Sequence, residues 1–312
     1  MKILFVRLSS LGDVILSTGV IKCFKEDFPD SVCDVFTTVP FAPVFEGLEF
    51  VNSVIVFDKA DGWQGLGKTA QEELNDYDYV IDLHSNLRSF ALRTMVDAKF
   101  LRYRKDSAAR RRFVRSKKVT DRLRLHVAEK YAEPLIKLGM KPRTLEQLRP
   151  VLHAEADAQG RHIVLNPFAS KATKQWDKFP ELASELVKLG FKVTVIGIGE
   201  FSEIDGVKNL TGATSLKEMF EVIASAETLI TTDSGPMHAG VALGVKTVAV
   251  FGSTTKEFGF APVFEGCSVA EVHGLPCRPC HVHGLPACPQ GHFKCMKDIS
   301  VEDVLRVVSG GF

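Results

Sequence analysis

The chain lacks any apolar run approaching the length of a bilayer span, so it carries no sign of an integral membrane protein. Its formal net charge is only +1 over 312 residues, which leaves no whole-molecule field toward nucleic acid or membrane. No interleaved aromatic platform or known signature accompanies its basic residues, so a nucleic-acid partner is not expected. The N-terminus runs directly into Lys2–Val6 without a charged and apolar leader ending in small residues, and a soluble cytoplasmic protein is the expectation. Of seven cysteines only Cys23 and Cys33 fall in the N-terminal half, while Cys267, Cys277, Cys280, Cys288 and Cys295 crowd near the end. That clustering points to local chemistry and away from a secreted disulfide scaffold. What the chain does have is 45% apolar residues, enough to bury two cores of ordinary size.

The most informative stretch spans residues 228–252. Thr228–Thr232 is β-branched and apolar without alternation, as in a strand buried on both faces, and Asp233 with Ser234 ends it abruptly. Pro236 suits the first turn of a following helix, and Ser234 is placed to cap that helix's unpaired backbone donors. In open parallel sheets a helix N-terminus at the carboxyl end of a strand is a natural seat for an anion such as a diphosphate. The same residues also fit an ordinary capped strand-to-helix turn.

From the start, strands are expected at 3–6, 32–36, 53–57 and 79–83, alternating with helices or loops, which predicts a parallel sheet wound on both sides. A helix over about 13–28 places Leu16, Val20, Phe24 and Phe28 on one face, with Asp13 at its beginning. That carboxylate reads either as an N-terminal helix charge or as a general base aimed into a cleft. Residues 99–124 form a basic segment containing Arg110, Arg111, Arg112 and Arg115, which suits solvated surface, a phosphorylated partner or an anionic bilayer. After a helix over about 126–138 and a Pro-interrupted polar stretch, the pattern restarts, giving domains at 1–155 and 156–312. In the second domain Ser170, Lys174, Glu200, Thr214, Asp233 and Ser234 each follow an expected strand, and loops in that position open on one edge of such a sheet. An ammonium and a hydroxyl from Lys174 and Ser170 suit a diphosphate, and Glu200 after a glycine turn suits ribose hydroxyls. His238, taken alone, fits a satisfied core histidine.

The chain resembles the heptosyltransferases of lipopolysaccharide assembly, glycosyltransferase family 9. The resemblance rests on Leu11, Gly12 and Asp13; on Asp82 to Arg88, where the family commonly has Gln and Gly in place of His84 and Ser85; on Lys174 to Trp176; and on Asp233 to His238. It spans nearly the whole chain, and the combination is specific although each motif alone is weak. It implies an α/β chain of GT-B fold, two facing Rossmann-like doubly wound domains, with acceptor held by the first and ADP-sugar by the second. It further implies a metal-independent inverting transfer from ADP-L-glycero-D-manno-heptose to Kdo-lipid A or heptosylated inner core, with no cofactor required for catalysis. By that resemblance Asp13 is the base, and Ser170, Lys174, Ser234 and Gly235 meet the diphosphate. Glu200 holds ribose, Thr214 lies near the nucleoside, Asp233 binds sugar hydroxyls and His238 joins the donor site. Ser10, Arg88 and the basic segment face the acceptor, with transient contact at the inner membrane surface. A GT-B enzyme using another nucleotide sugar, an epimerase of that architecture and a non-catalytic nucleotide- or glycan-binding member remain as alternatives. The spacing of Cys277, Cys280, Cys288 and Cys295 fits a structural zinc site of four thiolates, and equally reduced or disulfide-paired cysteines bracing a loop.

Overall fold

The structure, a computed structural model, describes residues 1–309. It divides into two compact units, one formed by Met1–Lys105 with Val127–His153 and the other by Asp106–His126 with Ala154–Phe312. The first unit is built on a five-stranded sheet: β1 (Lys2–Val6), β2 (Val32–Thr38), β3 (Ser53–Phe57), β4 (Tyr79–Asp82) and β5 (Lys99–Arg102). Their order is β3-β2-β1-β4-β5 and every pairing is parallel. Strand order therefore reverses between β1 and β4, where Val6 pairs with Asp82, and the loops leaving these two strands open on one crevice.

Helix α1 (Leu11–Asp27) follows β1, with α2 (Gly62–Glu73) and α3 (Leu87–Ala91) after β3 and β4. Leu16, Val20 and Phe24 of α1 are fully buried, and Phe24 meets Phe5 of β1 edge-on at 6.0 Å between ring centroids. Each such side chain contributes about 2–3 kcal/mol by leaving water, which fixes the helix that carries Asp13. Gly19 is required here because a Cβ at that position would stand 2.3 Å from the Leu148 carbonyl oxygen.

The chain then enters the second unit through α4 (Ser107–Ser116) and α5 (Asp121–Arg124), and returns to the first through α6 (Val127–Ile136). Composition marks 99–124 only as basic and places one boundary near residue 155. Apolar packing places most of that segment with the second unit, since Phe113 and Leu123 form a buried cluster with Phe258.

The second unit's sheet contains β6 (His162–Asn166), β7 (Lys192–Val195), β8 (Val207–Asn209), β9 (Thr228–Thr232), β10 (Lys246–Phe251) and β11 (Cys267–Glu271). Its order is β11-β10-β9-β6-β7-β8, again all parallel, with the reversal between β6 and β9. Helices α7 (Phe179–Lys188), α8 (Leu216–Ala224) and α9 (Gly235–Ala242) connect these strands, and α10 (Lys294–Lys297) and α11 (Val301–Ser309) follow. A capping box at Ser215 and Glu218 starts α8. Helix α9 sits tight on its sheet, because a Cβ on Gly240 would lie 2.5 Å from the Thr247 hydroxyl and 2.6 Å from Leu229. Both units are thus doubly wound parallel sheets, as the alternating pattern predicts.

Candidate functional site

In the first unit the crevice between β1 and β4 is organised around a carboxylate. Asp13 stands in the first turn of α1, and three side chains donate to it. Arg7 approaches Oδ2 with Nη2 at 2.7 Å, Ser10 donates its hydroxyl to Oδ2 at 2.8 Å, and Tyr131 of α6 donates its phenol to Oδ1 at 2.7 Å. The Arg7 side chain is 5% exposed and that of Asp13 17%, so the cation is inside the protein and the carboxylate at its edge. Arg7 is also tied to the Leu83 carbonyl through Nη1. Burial works against the Arg7 charge, but Asp13 with Tyr131, Tyr103 and Asp82 outweighs it and raises the Arg7 pKa. Burial likewise pushes the Tyr131 phenol well above its ordinary value, Arg7 opposing and Asp13 adding, so Tyr131 remains a donor.

The adjacent loop is set by Asp82, which accepts from the His84 and Ser85 backbone N–H groups at 3.0 and 2.7 Å and from the Ser89 hydroxyl at 2.9 Å. Asn86 and Ser89 form a capping box that opens α3. His84 is buried, and burial followed by the Arg7 and Lys105 charges pushes its pKa down to about 3. It is therefore a neutral imidazole, with Nε2 2.6 Å from the Asn86 amide. Arg88, one residue into α3, lies over the exposed Trp63 ring at 6.0 Å, and its Nε is buried without a hydrogen-bond partner. The Ser10 hydroxyl, expected at the acceptor, is engaged with Asp13.

In the second unit the structure joins two of the expected residues directly. Lys174, in a short turn after β6, places Nζ 3.0 Å from Asp233 Oδ2 at the end of β9, and the Thr254 hydroxyl donates to the same oxygen at 2.6 Å. Both members of the ion pair are mostly buried, at 14% and 13% exposed. Ser234 precedes α9 as expected, but its hydroxyl makes no cap. It accepts from the Asn166 amide at 2.9 Å and from the Thr232 hydroxyl at 3.1 Å, which draws it toward the strand ends. The Ser234 side chain therefore caps none of the backbone N–H groups that open α9 at Gly235. His238 is buried within α9, edge-on to Phe260 at 6.3 Å between centroids.

The remaining expected residues are less closely joined. Ser170 and Glu200 are exposed on loops after β6 and β7. Thr214 lines a cavity of about 470 Å³ with His162 and Lys192, the residues at which β6 and β7 begin, a cavity whose walls do not include Lys174 or Asp233. In the basic segment Arg110 is buried with its guanidinium 4.9 Å from the Phe260 ring centroid, while Arg111, Arg112 and Arg115 are exposed on α4. The helical period, which composition ignores, turns Arg110 and Phe113 inward together.

The zinc expectation is not supported. Cys277, Cys280, Cys288 and Cys295 line one small pocket with Thr173, Ser253 and His292, and Cys277 Sγ lies 3.8 Å from His292 Nε2. Yet among the described residues no three or more His, Cys, Asp or Glu side chains are gathered as a group able to hold a metal ion. Burial, then the neighbouring cysteines, raises Cys280 and takes Cys295 to about 11.

Four residues of these two clusters escape a sequence reading. Arg7 and Tyr131 reach Asp13, and Asn166 and Thr254 reach Ser234 and Asp233. Arg7, Asn166 and Thr254 share one signal, a polar residue at or just beyond the carboxyl end of a buried strand. Tyr131 has none, being 118 residues from Asp13 in the middle of a helix.

The family model described as glycosyltransferase family 9 (heptosyltransferase) matches residues 67–283, more than half of the chain. Lipooligosaccharide heptosyltransferase 2 of Campylobacter jejuni is 28% identical over 98% of both chains. Among solved structures, the family 9 glycosyl transferase of Veillonella parvula aligns with a TM-score of 0.78 at 23% identity, over 99% of this chain and 96% of that one. The E. coli heptosyltransferase WaaC with ADP aligns with a TM-score of 0.76 at 20% identity over the whole of both chains.

Proposed function

Since this chain belongs to glycosyltransferase family 9 and is a glycosyltransferase of the heptosyltransferase type, we propose that it transfers heptose from ADP-L-glycero-D-manno-heptose to the lipopolysaccharide inner core. The acceptor is Kdo-lipid A or an already heptosylated core. The observation that carries this reading is the Asp13 carboxylate, fixed by Arg7, Ser10 and Tyr131 in the crevice between β1 and β4. A base is what this transfer requires. The acceptor oxygen attacks the anomeric carbon, Asp13 takes its proton, the bond from that carbon to the diphosphate oxygen breaks, and ADP leaves. Attack opposite the leaving group inverts the anomeric configuration.

Negative charge growing on the diphosphate is met by the Lys174 ammonium and by the backbone N–H groups at the start of α9, a role that a metal ion fills in other transferases. Asp233, Ser170 and Glu200 are assigned to heptose, diphosphate and ribose. Thr214 is assigned to the nucleoside and His238 to the donor site, on the family resemblance alone. Arg88, with a buried Nε that lacks a partner, is assigned to an acceptor carboxylate or phosphate. No helix among the described residues is long and apolar enough to cross a membrane. We place the enzyme in the cytoplasm, meeting its lipid acceptor at the inner face of the inner membrane through Arg111, Arg112 and Arg115.

The test is incubation of the purified protein with ADP-heptose and, separately, other ADP- and GDP-sugars, each with Kdo-lipid A and with heptosylated core. ADP release together with one added heptose in the lipid product is the expected result. Turnover of a different nucleotide sugar, with none of ADP-heptose, overturns it.

A further inference from the structure

We propose that Tyr131 and Arg7 are positioning residues that set the orientation of the Asp13 carboxylate, the phenol holding Oδ1 and the guanidinium Oδ2. The proposal rests on the reading of Asp13 as the base and adds what makes a carboxylate at a helix start competent for it. A free aspartate at the start of a helix turns about its two side-chain bonds and offers its oxygens to solvent or to nearby backbone N–H groups. Here both oxygens are held, by donors from two different elements. Arg7 comes from the end of β1, anchored to the Leu83 carbonyl, and Tyr131 comes from α6, far along the chain.

The supports are themselves fixed. Tyr131 is fully buried, its ring edge-on to Tyr103 at 4.9 Å and 5.6 Å from the Arg7 guanidinium carbon. A phenol so placed has one arrangement available, and its hydroxyl reaches the carboxylate from the protein interior. Arg7 and Asp13 are linked by charge as well as by hydrogen bonding, so the pair keeps its geometry when the crevice fills with substrate. The other titratable and charged groups around the carboxylate are His84 and Asp82 from the loop and end of β4, and Tyr103 and Lys105 beyond β5. Of these, His84 is neutral at any working pH.

The experiment is the pH profile of kcat and of kcat/KM for Tyr131→Phe, beside wild type and Asp13→Asn. A hydrogen bond donated to a carboxylate favours its charged form, so losing the phenol raises the pKa of the base. The acid limb is expected to move upward by about half to one pH unit, and kcat on the plateau to fall about tenfold, the scale of one hydrogen bond to a charged group. The KM for ADP-sugar and the affinity for ADP should be unchanged. Partial misfolding scales the whole profile without moving its limb, so the readout survives a drop in folded protein. A limb that stays in place, with or without a fall in kcat, overturns the positioning role. Near-normal turnover of Asp13→Asn overturns the base reading and this proposal together, whereas an inactive Asp13→Asn with an unmoved limb in Tyr131→Phe overturns the positioning role alone.

Discussion

Removing either partner of the Lys174–Asp233 pair should change ADP affinity in opposite directions. The pair spans 3.0 Å between two side chains that are about one-seventh exposed, so the ammonium is neither fully solvated nor locked away. If it serves the diphosphate, Lys174 divides its donors between Asp233 and phosphate oxygens. Lys174→Ala deletes a charge-assisted contact worth about 1.5–3 kcal/mol, which corresponds to roughly ten- to hundredfold weaker ADP binding. Asp233→Asn deletes a carboxylate that both competes for that ammonium and repels the phosphates. The relief is about 1 kcal/mol for a partly solvated charge, or ADP binding about fivefold tighter. The same variant should transfer heptose poorly, because the oxygen assigned to the sugar hydroxyls is weakened. Titration calorimetry with ADP and steady-state turnover with ADP-heptose read the two effects separately. Equal ADP affinity in wild type and Lys174→Ala removes Lys174 from the site, and weakened ADP binding in Asp233→Asn refutes the competition argument, making Asp233 an orienting partner instead.

Three further outcomes are expected. Asp13→Asn should lower turnover at least about a hundredfold at unchanged ADP affinity, and also cost about 2 kcal/mol of stability, since Arg7 is left buried without its anion; chemical denaturation and turnover of the folded fraction check both. Replacing exposed Arg111, Arg112 and Arg115 by Gln, leaving buried Arg110 alone, should raise the apparent KM for lipid acceptor at low salt, each arginine contributing about 1 kcal/mol at an anionic surface; equal constants at low salt make α4 ordinary surface. Burial and the Arg7 and Lys105 charges hold the His84 pKa at about 3 against 6.5, so the unfolded chain binds a proton there that the folded chain refuses. The resulting stability is complete above about pH 6.5 and is lost as pH falls toward 3. His84→Gln should therefore gain about 3 kcal/mol relative to wild type between pH 7 and pH 4, as read by denaturant midpoints, and parallel pH curves would refute this.

Strands rich in β-branched and apolar residues are legible from sequence because such side chains suit a pleated, packed surface. The edge strand Ser53–Phe57 and the fully buried Thr228–Thr232 are read to the residue, and the interior strand Val32–Thr38 to within two. The edge strands Lys99–Arg102 and Cys267–Glu271 escape notice for the converse reason. Lys99 and Arg102 are exposed at the sheet margin and make the first look like part of a basic loop, while Ser268 and Glu271 interrupt the apolar run of the second. Loops after strands single out Asp13 in the first unit and Lys174 and Asp233 in the second, since chain order alone puts each near the carboxyl edge of its own sheet. Thr214 obeys the same rule and yet lines a different cavity, shared with Glu218, Glu221 and Val222 of α8 and with Thr194 and Lys208 of the sheet. Ser234 is placed correctly along the chain and bonded differently, as Asn166 and Thr232 outcompete the helix for its hydroxyl.

Each of the two candidate clusters sets an aspartate against a cation, and under the proposed function the cation suits what each pair would do. Arg7 is buried, its planar fork committed to the Leu83 carbonyl and to Asp13, and it stays protonated at any working pH. Such a partner holds a carboxylate in place throughout a reaction cycle, as a base needs if it is to meet each new acceptor hydroxyl in one orientation. Lys174 has a compact ammonium on a flexible stem, partly open to solvent. Under the proposed function it leaves Asp233 for phosphate oxygens without moving the backbone, and returns when ADP departs. An arginine at 174 would hold Asp233 through two parallel hydrogen bonds and give up that exchange, and a lysine at 7 would let the Asp13 carboxylate turn. Lys174→Arg should accordingly retain ADP binding to within about tenfold while slowing turnover more than it weakens binding. Turnover equal to wild type in that variant would mean that charge alone, and not its mobility, is what the position supplies.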